Sequence, residues 1–296
     1  MDKNIRAKRP SNVSVDPGPS LPTLVKSAGR TLQIFDFFDE VQREAKVHEI
    51  AERLNFPQSS TSVLLKCLIQ LGYMDYDPAT RTFLPSPRVA LLGSWLDNGP
   101  VRDGRLIRMM EELSKKTGDT VILAARNGTY AHYLRVIQAR TPVRFHVPQG
   151  SRRLVVWSAT GFALLCHERD ELIQALCLRA NAEAESDQAP VQYKRALAHI
   201  QQLRQNGYFF SRGLVTPGAG SIAIPLPAGI DRRDRPFAIA LSGPLDDIAA
   251  REKPIVKLMN EVIDRYLGSS PMDGVNRGPK PISSRSSSVC SPSRGA

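Results

Sequence analysis

The sequence predicts an α+β protein of two domains, in which a small, mainly helical domain precedes a larger domain that combines an antiparallel sheet with flanking helices. Two short helix-forming segments joined by a tight turn occur between residues 47 and 72, and two short strand-like segments follow them. Beyond residue 118, apolar strand-like segments alternate with amphipathic helical ones. The chain has 296 residues, which is enough for two domains with separate cores.

The segment 47–72 has the periodicity of two packed helices. In the first helix, apolar residues recur at i, i+3, i+4 and i+7, namely Val47, Ile50, Ala51 and Leu54. Asn55 tolerates the left-handed backbone that ends a helix, and Pro57 suits the first turn of the next one. In that second helix we expect a buried stripe, with Gly72 ending the helix. The stripe consists of Leu64, Leu65, Leu68 and Leu71.

Polar side chains occupy the other side of the second helix. Short polar groups near a helix N-terminus suit contacts to base edges and phosphates in the major groove of DNA. The candidate DNA-binding residues on this helix are Gln58, Ser59, Ser60, Ser62 and Lys66.

A β-hairpin is predicted directly after this helix. Residues 73–76 alternate as a strand, 77–80 form a turn with Pro78 in its second position, and 81–83 return. We expect Arg81, near the tip, to reach a phosphate or the minor groove. Periodicity alone is also typical of a helical hairpin with a solvated polar face. The turn, the leucine stripe and the hairpin together favour a winged helix-turn-helix that binds double-stranded DNA.

Net charge supports this interpretation only weakly. The chain carries +11, but residues 1–99 contribute +1, residues 100–268 contribute +7 and residues 269–296 contribute +3. The predicted DNA-binding domain is therefore nearly neutral, and its assignment depends on motif geometry. A basic cluster near the N-terminus is expected to add phosphate attraction. It consists of Lys3, Arg6, Lys8 and Arg9.

Composition and patterning divide the chain into five parts. We expect a disordered basic arm at 1–22, the winged helix-turn-helix domain at 23–85, a linker helix at 86–100, an effector-binding and oligomerisation domain at 101–268, and a disordered serine-rich tail at 269–296. No apolar run is long enough for a membrane span, and the N-terminus lacks a signal-peptide pattern, so a cytoplasmic protein is expected. The four cysteines lack zinc-ligand spacing and are expected to be reduced thiols, with no metal or other cofactor.

Within the larger domain we expect helices at 105–117, 158–167, 168–178 and 191–206, and one long helix at 248–267. The strands are predicted at 121–125, 130–137, 208–212, 221–226 and 237–241. The first two flank Asn127-Gly128, whose residues both accept the positive φ of a hairpin turn.

Several of these segments, in their order along the chain, resemble the IclR family of bacterial transcription regulators. The matching segments are 27–40, 47–83, 85–93, 150–166, 200–208, 218–225 and 240–244. The resemblance implies a GAF-like C-terminal domain that binds a small-molecule effector. Two departures concern its sites: Val63 stands where the family usually has Arg in the recognition helix, and Val156 and Phe162 stand where His and Lys are usual.

The resemblance also implies which residues hold the effector. Family effectors bind against the sheet under a loop, which here corresponds to Gly150, Leu154, Ser211, Ser221, Ala240 and Ser242. Hydroxyl groups among apolar residues suit a few directional hydrogen bonds, although serines at strand ends also satisfy backbone groups. Four arginines nearby would suit an organic acid, although solvated surface arginines are common. They are Arg140, Arg144, Arg152 and Arg153.

No catalytic constellation stands out. The four histidines of the larger domain lack metal-ligand spacing, and the match of 218–223 to a dinucleotide-binding fingerprint leads into a strand instead of the required helix. The leading hypothesis is therefore a non-enzymatic, sequence-specific transcription regulator, a homodimer or tetramer controlled by an organic or aromatic acid. The alternatives are a small-molecule enzyme or carrier built on the C-terminal domain, and a regulator without an effector.

Overall fold

The computed structural model describes residues 25–93, 100–141, 145–184, 190–230 and 235–268. The predicted arm at 1–22 and the tail at 269–296 lie outside these ranges. So do residues 94–99 of the predicted linker helix and Arg144.

The N-terminal domain consists of four helices and a small sheet. In chain order they are α1 (Lys26–Val41), β1 (Ala45–Lys46), α2 (Val47–Leu54), α3 (Gln58–Gln70), β2 (Met74–Asp77), β3 (Thr82–Pro85) and α4 (Pro87–Leu91). The strands form an antiparallel sheet in the order β1-β3-β2. This arrangement confirms the predicted winged helix-turn-helix. The linker helix predicted at 86–100 is helical within the described residues over Pro87–Leu91, whereas Leu92, Gly93 and Pro100 are in turns.

The turn between α2 and α3 forms largely as predicted. Asn55 has φ 54° and ψ 45°, the left-handed backbone that ends α2. Pro57 precedes the first helical residue and does not belong to the first turn. The buried stripe of α3 needs two corrections: Leu64 is only partly buried, and Leu71, which follows the end of α3 at Gln70, is 59% exposed. Thr61 occupies an interior position instead, where its Oγ1 donates to Pro57 O at 3.2 Å.

The wing is the hairpin of β2 and β3, and one carboxylate organises the loop between these two strands. Asp77 Oδ1 accepts from the Ala79 N–H at 2.8 Å, and Oδ2 accepts from Thr80 Oγ1 at 2.9 Å. The backbone hydrogen bond from Ala79, followed by the bond from Thr80, lowers the pKa of Asp77. Arg81 completes the loop with φ 57° and is exposed.

The C-terminal domain is a six-stranded antiparallel sheet with helices on both faces. Its strands are β4 (Thr120–Asn127), β5 (Tyr130–Ile137), β6 (Arg152–Leu154), β7 (Phe209–Arg212), β8 (Ala219–Pro225) and β9 (Phe237–Pro244), in the sheet order β6-β5-β4-β9-β8-β7. Its helices are α5 (Arg105–Thr117), α6 (Ala159–Leu164), α7 (Asp170–Glu183), α8 (Tyr193–Asn206), α9 (Leu245–Ala250) and α10 (Glu252–Leu267). The α+β class is confirmed.

Three predicted details of this domain differ. Asn127 pairs with Tyr130, so the hairpin loop consists of Gly128 and Thr129, and Gly128 alone carries the positive φ. The predicted long helix at 248–267 is two helices that meet at Arg251. The helix expected from residue 158 is shorter and is preceded by β6 and a 3-10 turn over Val155–Trp157, which the sequence pattern did not indicate.

Strand alternation gives the sheet two differently covered faces. Val121, Leu123 and Leu241 belong to the core packed against α5, α9 and α10. Ile122 and Ala240 belong to the core on the side of α6, α7 and α8. On that second side, a Cβ at Gly161 would lie 2.2 Å from Val155 O, so only glycine allows α6 this approach to the 3-10 turn.

The two domains also touch through polar side chains. The Asp39 carboxylate of α1 forms an ion pair with Arg135 of β5 and accepts from Gln149 Nε2 at 3.2 Å. Across the described ranges, no helix combines the length and the apolar character required to span a membrane.

Candidate functional site

The outer face of α3 is largely accessible to solvent. Gln58, Ser59 and Lys66 are exposed, and Ser60 and Ser62 are partly exposed. The hydroxyl of Ser62 donates to Gln58 O at 2.9 Å, which leaves its oxygen able to accept a further hydrogen bond. The predicted candidates on α3 therefore share one accessible surface.

The centre of this surface is apolar. Val63, at the position where the family resemblance leads one to expect Arg, is 60% exposed and follows Ser59 by one helical turn. A small apolar side chain facing the major groove suits contact with a thymine methyl group. Cys67, one turn further on, is also exposed.

Few cations around this surface are available to phosphates. Arg43 and Arg53 are paired with Glu49 and Glu40. In the described part of the chain, Lys66 and Arg81 form no ion pair, and both are exposed. No side chain caps α3, so N–H groups of its first turn remain available to phosphates.

A cavity lies in the C-terminal domain between the sheet and the start of α6. Its volume is about 70 Å³. Its wall contains apolar side chains, hydroxyl groups and one cation. The sixteen described residues that line it are Thr120, Ile122, Tyr133, Phe145, Val147, Arg153, Ser158, Ala159, Thr160, Ser211, Val215, Thr216, Ala219, Gly220, Ser221 and Ser242.

Four of the hydroxyl residues form a row across four neighbouring strands. Ser211 is in register with Ser221, Ser221 with Ser242, and Ser242 with Thr120. Directly opposed residues of antiparallel strands project from the same face, so the row forms one wall of the cavity. Ser221 Oγ and Ser242 Oγ are 2.8 Å apart and hydrogen-bonded.

The hydroxyl of Thr120, at one end of this row, and the hydroxyl of Ser158 form hydrogen bonds within the protein itself. Thr120 Oγ1 accepts from the Ala139 N–H at 3.1 Å. Ser158 Oγ donates to Leu154 O at 2.8 Å and accepts from the Gly161 N–H at 3.1 Å, so it caps α6. The hydroxyls of Ser211, Ser221 and Ser242 are therefore better placed to bind a ligand.

The cation in the wall is Arg153 of β6, which is buried. Its Nη1 donates to Arg152 O at 2.8 Å, and its guanidinium carbon lies 6.0 Å from the ring centre of Tyr133. Burial raises the pKa of Tyr133, and the charge of Arg153 partly offsets that effect. Tyr133 is thus a neutral phenol in the cavity wall.

The structure places three of the six residues that the resemblance associates with an effector in the cavity wall and the other three outside it. Ser211, Ser221 and Ser242 line the cavity. Gly150, Leu154 and Ala240 do not line it: Gly150 is in an exposed turn, Leu154 packs against the core, and Ala240 is fully buried deeper along β9. Val156 and Phe162 are also fully buried in that core.

Sequence reasoning missed several lining residues. No feature of the sequence marks Thr120, Tyr133 or Thr160 as a cavity residue. Each is an ordinary residue of a strand or helix until the sheet register is known. Arg153 was one of four clustered arginines, and of the three that lie in the described ranges it is the one that lines the cavity. Arg152 stacks on Tyr130 instead. In the described ranges, no group of three or more His, Cys, Asp or Glu side chains is placed to hold a metal ion.

Comparisons with known proteins agree with this architecture. The family model "IclR helix-turn-helix domain" matches residues 27–78, and "Bacterial transcriptional regulator IclR C-terminal" matches residues 103–264.

The HTH-type transcriptional regulator BhcR of Paracoccus denitrificans (strain Pd 1222) is 25% identical over 202 residues, which are 68% of this chain and 72% of BhcR. The HTH-type transcriptional repressor AllR of Escherichia coli (strain K12) is 26% identical over 234 residues, which are 77% of this chain and 84% of AllR.

A solved structure shares the fold. The Thermotoga maritima IclR matches with a TM-score of 0.53 at 18% identity, over 83% of this chain and 100% of that one. The two family models cover the DNA-binding and cavity-bearing domains in the observed order. The chain therefore belongs to the IclR family of bacterial transcription regulators.

Proposed function

We propose that this regulator reads its operator with the outer face of α3 and that a small organic or aromatic acid bound in the cavity controls that reading. The observation that carries the first part is the accessible surface of α3, on which Ser59, Val63 and Lys66 are exposed and Ser62 is partly exposed. Arg81 of the wing contacts the adjacent backbone or minor groove.

The same proposal includes a homodimer or tetramer on a pseudo-palindromic operator, because two-fold symmetry of the protein calls for matching half-sites. Exposed apolar side chains of α1 and α4 support a contact between copies. They are Leu32 and Leu91 in the helices, with Val25 and Leu92 at their ends. Sedimentation of the wild type and of a Leu32→Glu/Leu91→Glu variant tests this; equal association would contradict it.

The DNA-reading surface is tested by footprinting on the DNA that flanks the gene, followed by affinity measurements on the protected site. Val63→Glu places a carboxylate in the middle of the reading surface. Leu178→Glu is the matched control, since Leu178 is an exposed apolar residue of α7 at 66% exposure. We expect Val63→Glu to weaken binding by at least ~100-fold, because like-charge juxtaposition costs several kcal/mol, and Leu178→Glu to bind like the wild type.

Wild-type affinity in the Val63→Glu protein would exclude α3 as the reader. The complete absence of a sequence-preferring footprint, together with turnover of a small molecule, would favour an enzyme or carrier on the C-terminal domain.

Effector control is tested by thermal-shift screening of organic and aromatic acids. A ligand at 100 times its Kd stabilises the folded protein by about 2.7 kcal/mol. A true effector must also change operator affinity, typically ~5–150-fold. If no acid shifts the melting temperature and operator binding remains, the protein is a regulator without an effector.

A further inference from the structure

Val63 is an aliphatic side chain at the centre of the outer face of α3. Its exposed fraction is 60%, whereas the other large apolar side chains of this helix are buried or partly buried. Residues three and four positions apart in a helix share a face. Ser59, Lys66 and Cys67 have these spacings from Val63, and all three are exposed. The face proposed to read the operator therefore has an apolar centre.

The neighbours of Val63 on this face let the helix approach DNA closely. A valine side chain ends near the helix backbone, so it can contact a base only if the helix lies deep in the major groove. That groove is about 12 Å wide and admits an α-helix. The residues one turn before and one turn after Val63 are Ser59 and Cys67, whose side chains are short. Longer side chains at these two positions would hold the backbone away from the base edges.

The shape of the valine side chain also favours a defined contact. Branching at Cβ leaves one strongly preferred χ1 rotamer in a helix, so little rotamer freedom is lost when a base packs against it. Single exposed apolar residues are common on protein surfaces and need no explanation by themselves. Val63 differs because it lies on the second helix of a helix-turn-helix, the element that enters the major groove.

The chemistry of the side chain selects among the bases. Arg or Lys usually binds guanine, and Asn or Gln usually binds adenine, through paired hydrogen bonds. An isopropyl group forms no hydrogen bond, so opposite a purine N7 or the amino group of cytosine it would leave a polar group without a partner. The C5 methyl group of thymine projects into the major groove and needs no partner. Thymine is therefore the base that fits Val63.

From these observations we infer that Val63 packs against the C5 methyl group of a thymine in each operator half-site and sets the preference for that base. The inference rests on the proposed reading of the operator by α3. It adds the chemical feature that is recognised at one position, which is an apolar methyl group and not a hydrogen-bonding edge.

The first experiment uses the wild-type full chain and a pool of random-sequence DNA duplexes. Selection from the pool yields a preferred sequence, and each of its thymines is then replaced singly by uracil. This exchange removes the methyl group and keeps every hydrogen-bonding group of the base. At one thymine of each half-site, uracil should lower the affinity about fourfold. At that position cytosine should bind more weakly still, and 5-methylcytosine should bind about fourfold more tightly than cytosine.

The second experiment assigns the methyl group to its residue. Val63→Ala and Val63→Ser both lack the two γ-methyl groups, and the exposed position makes both compatible with the fold. In each variant the preference for thymine over uracil should fall from about fourfold to below about twofold. Leu178→Ala is the matched control, because Leu178 is an exposed apolar residue of a helix in the other domain. Its preference should equal that of the wild type.

Two results would overturn the inference: no uracil substitution lowers the affinity of the wild type, or the Val63 variants keep the fourfold preference for thymine. The first result needs no variant, so it decides the question even if a variant fails to fold. Selection separates this inference from the proposed function. A preferred sequence that tolerates uracil at every thymine refutes the inference alone, whereas a pool that yields no preferred sequence refutes the reading of an operator and the inference with it.

Discussion

Replacing Lys66 by Ala should change the salt dependence of operator binding more than its sequence preference. Lys66 lies on the exposed surface of α3, one helical turn beyond Ser62, and makes no ion pair in the described structure. We expect an unpaired lysine at this place to neutralise a phosphate, and a phosphate contact carries no base information.

The magnitude follows from counterion release. Each phosphate contact contributes about 0.9 to the slope of log affinity against log salt concentration, so two copies of Lys66 in the proposed dimer contribute about 1.8. Between about 50 and 200 mM salt, a fourfold range, the wild type should lose about 12-fold more affinity than the variant. Fluorescence anisotropy on a labelled operator at five or six salt concentrations measures both slopes.

The control is Lys194→Ala, which removes an exposed helical lysine of α8, far along the chain from the DNA-binding domain. Its slope should equal that of the wild type. If Lys66→Ala lowers affinity by the same factor at every salt concentration, Lys66 does not contact a phosphate and the reasoning fails.

Three further predictions concern α3 and the cavity-bearing domain. Ser59→Ala should change the preference at one operator position by ~1–3 kcal/mol if Ser59 contacts a base edge, measured with a panel of single-base operator variants; equal losses on all of them would contradict that contact. In a Cys290→Ser background, Cys67 alone of the three described cysteines should react with an aromatic disulfide reagent at pH 8, and operator DNA should protect it. Burial raises the pKa of Cys166 to about 12 and that of Cys177 to about 11, so at pH 8 both stay protonated and lack the reactive thiolate. Rapid labelling of all three thiols would contradict this prediction and show that the core opens readily. Gly161→Ala should lower the free energy of unfolding, measured in urea, by more than ~2 kcal/mol, because the added Cβ would lie 2.2 Å from the backbone of Val155. An unchanged urea midpoint would mean that the 3-10 turn moves at little energetic cost.

The local elements could be predicted from the sequence because their signals are local. The apolar periodicity of 47–54 coincides with α2, Asn55 supplies the left-handed residue that ends it, and 105–117 coincides with α5. Turn chemistry and periodicity act within a few residues, so they can be recognised without a fold. The exposure of Leu71 and the break between α9 and α10 at Arg251 were not predicted. Both depend on which residues pack nearby, and local periodicity does not show this.

The candidate site depended on tertiary structure. Ser211, Ser221, Ser242 and Thr120 are separated by up to 122 positions, and the sheet register alone aligns them into one row. The sequence by itself determined the family resemblance, the polar outer side of the recognition helix and the serines as candidates. Only the tertiary structure decided that Arg153, and not Arg152, lines the cavity, because successive side chains of a strand point to opposite faces and the sequence does not say which face encloses space.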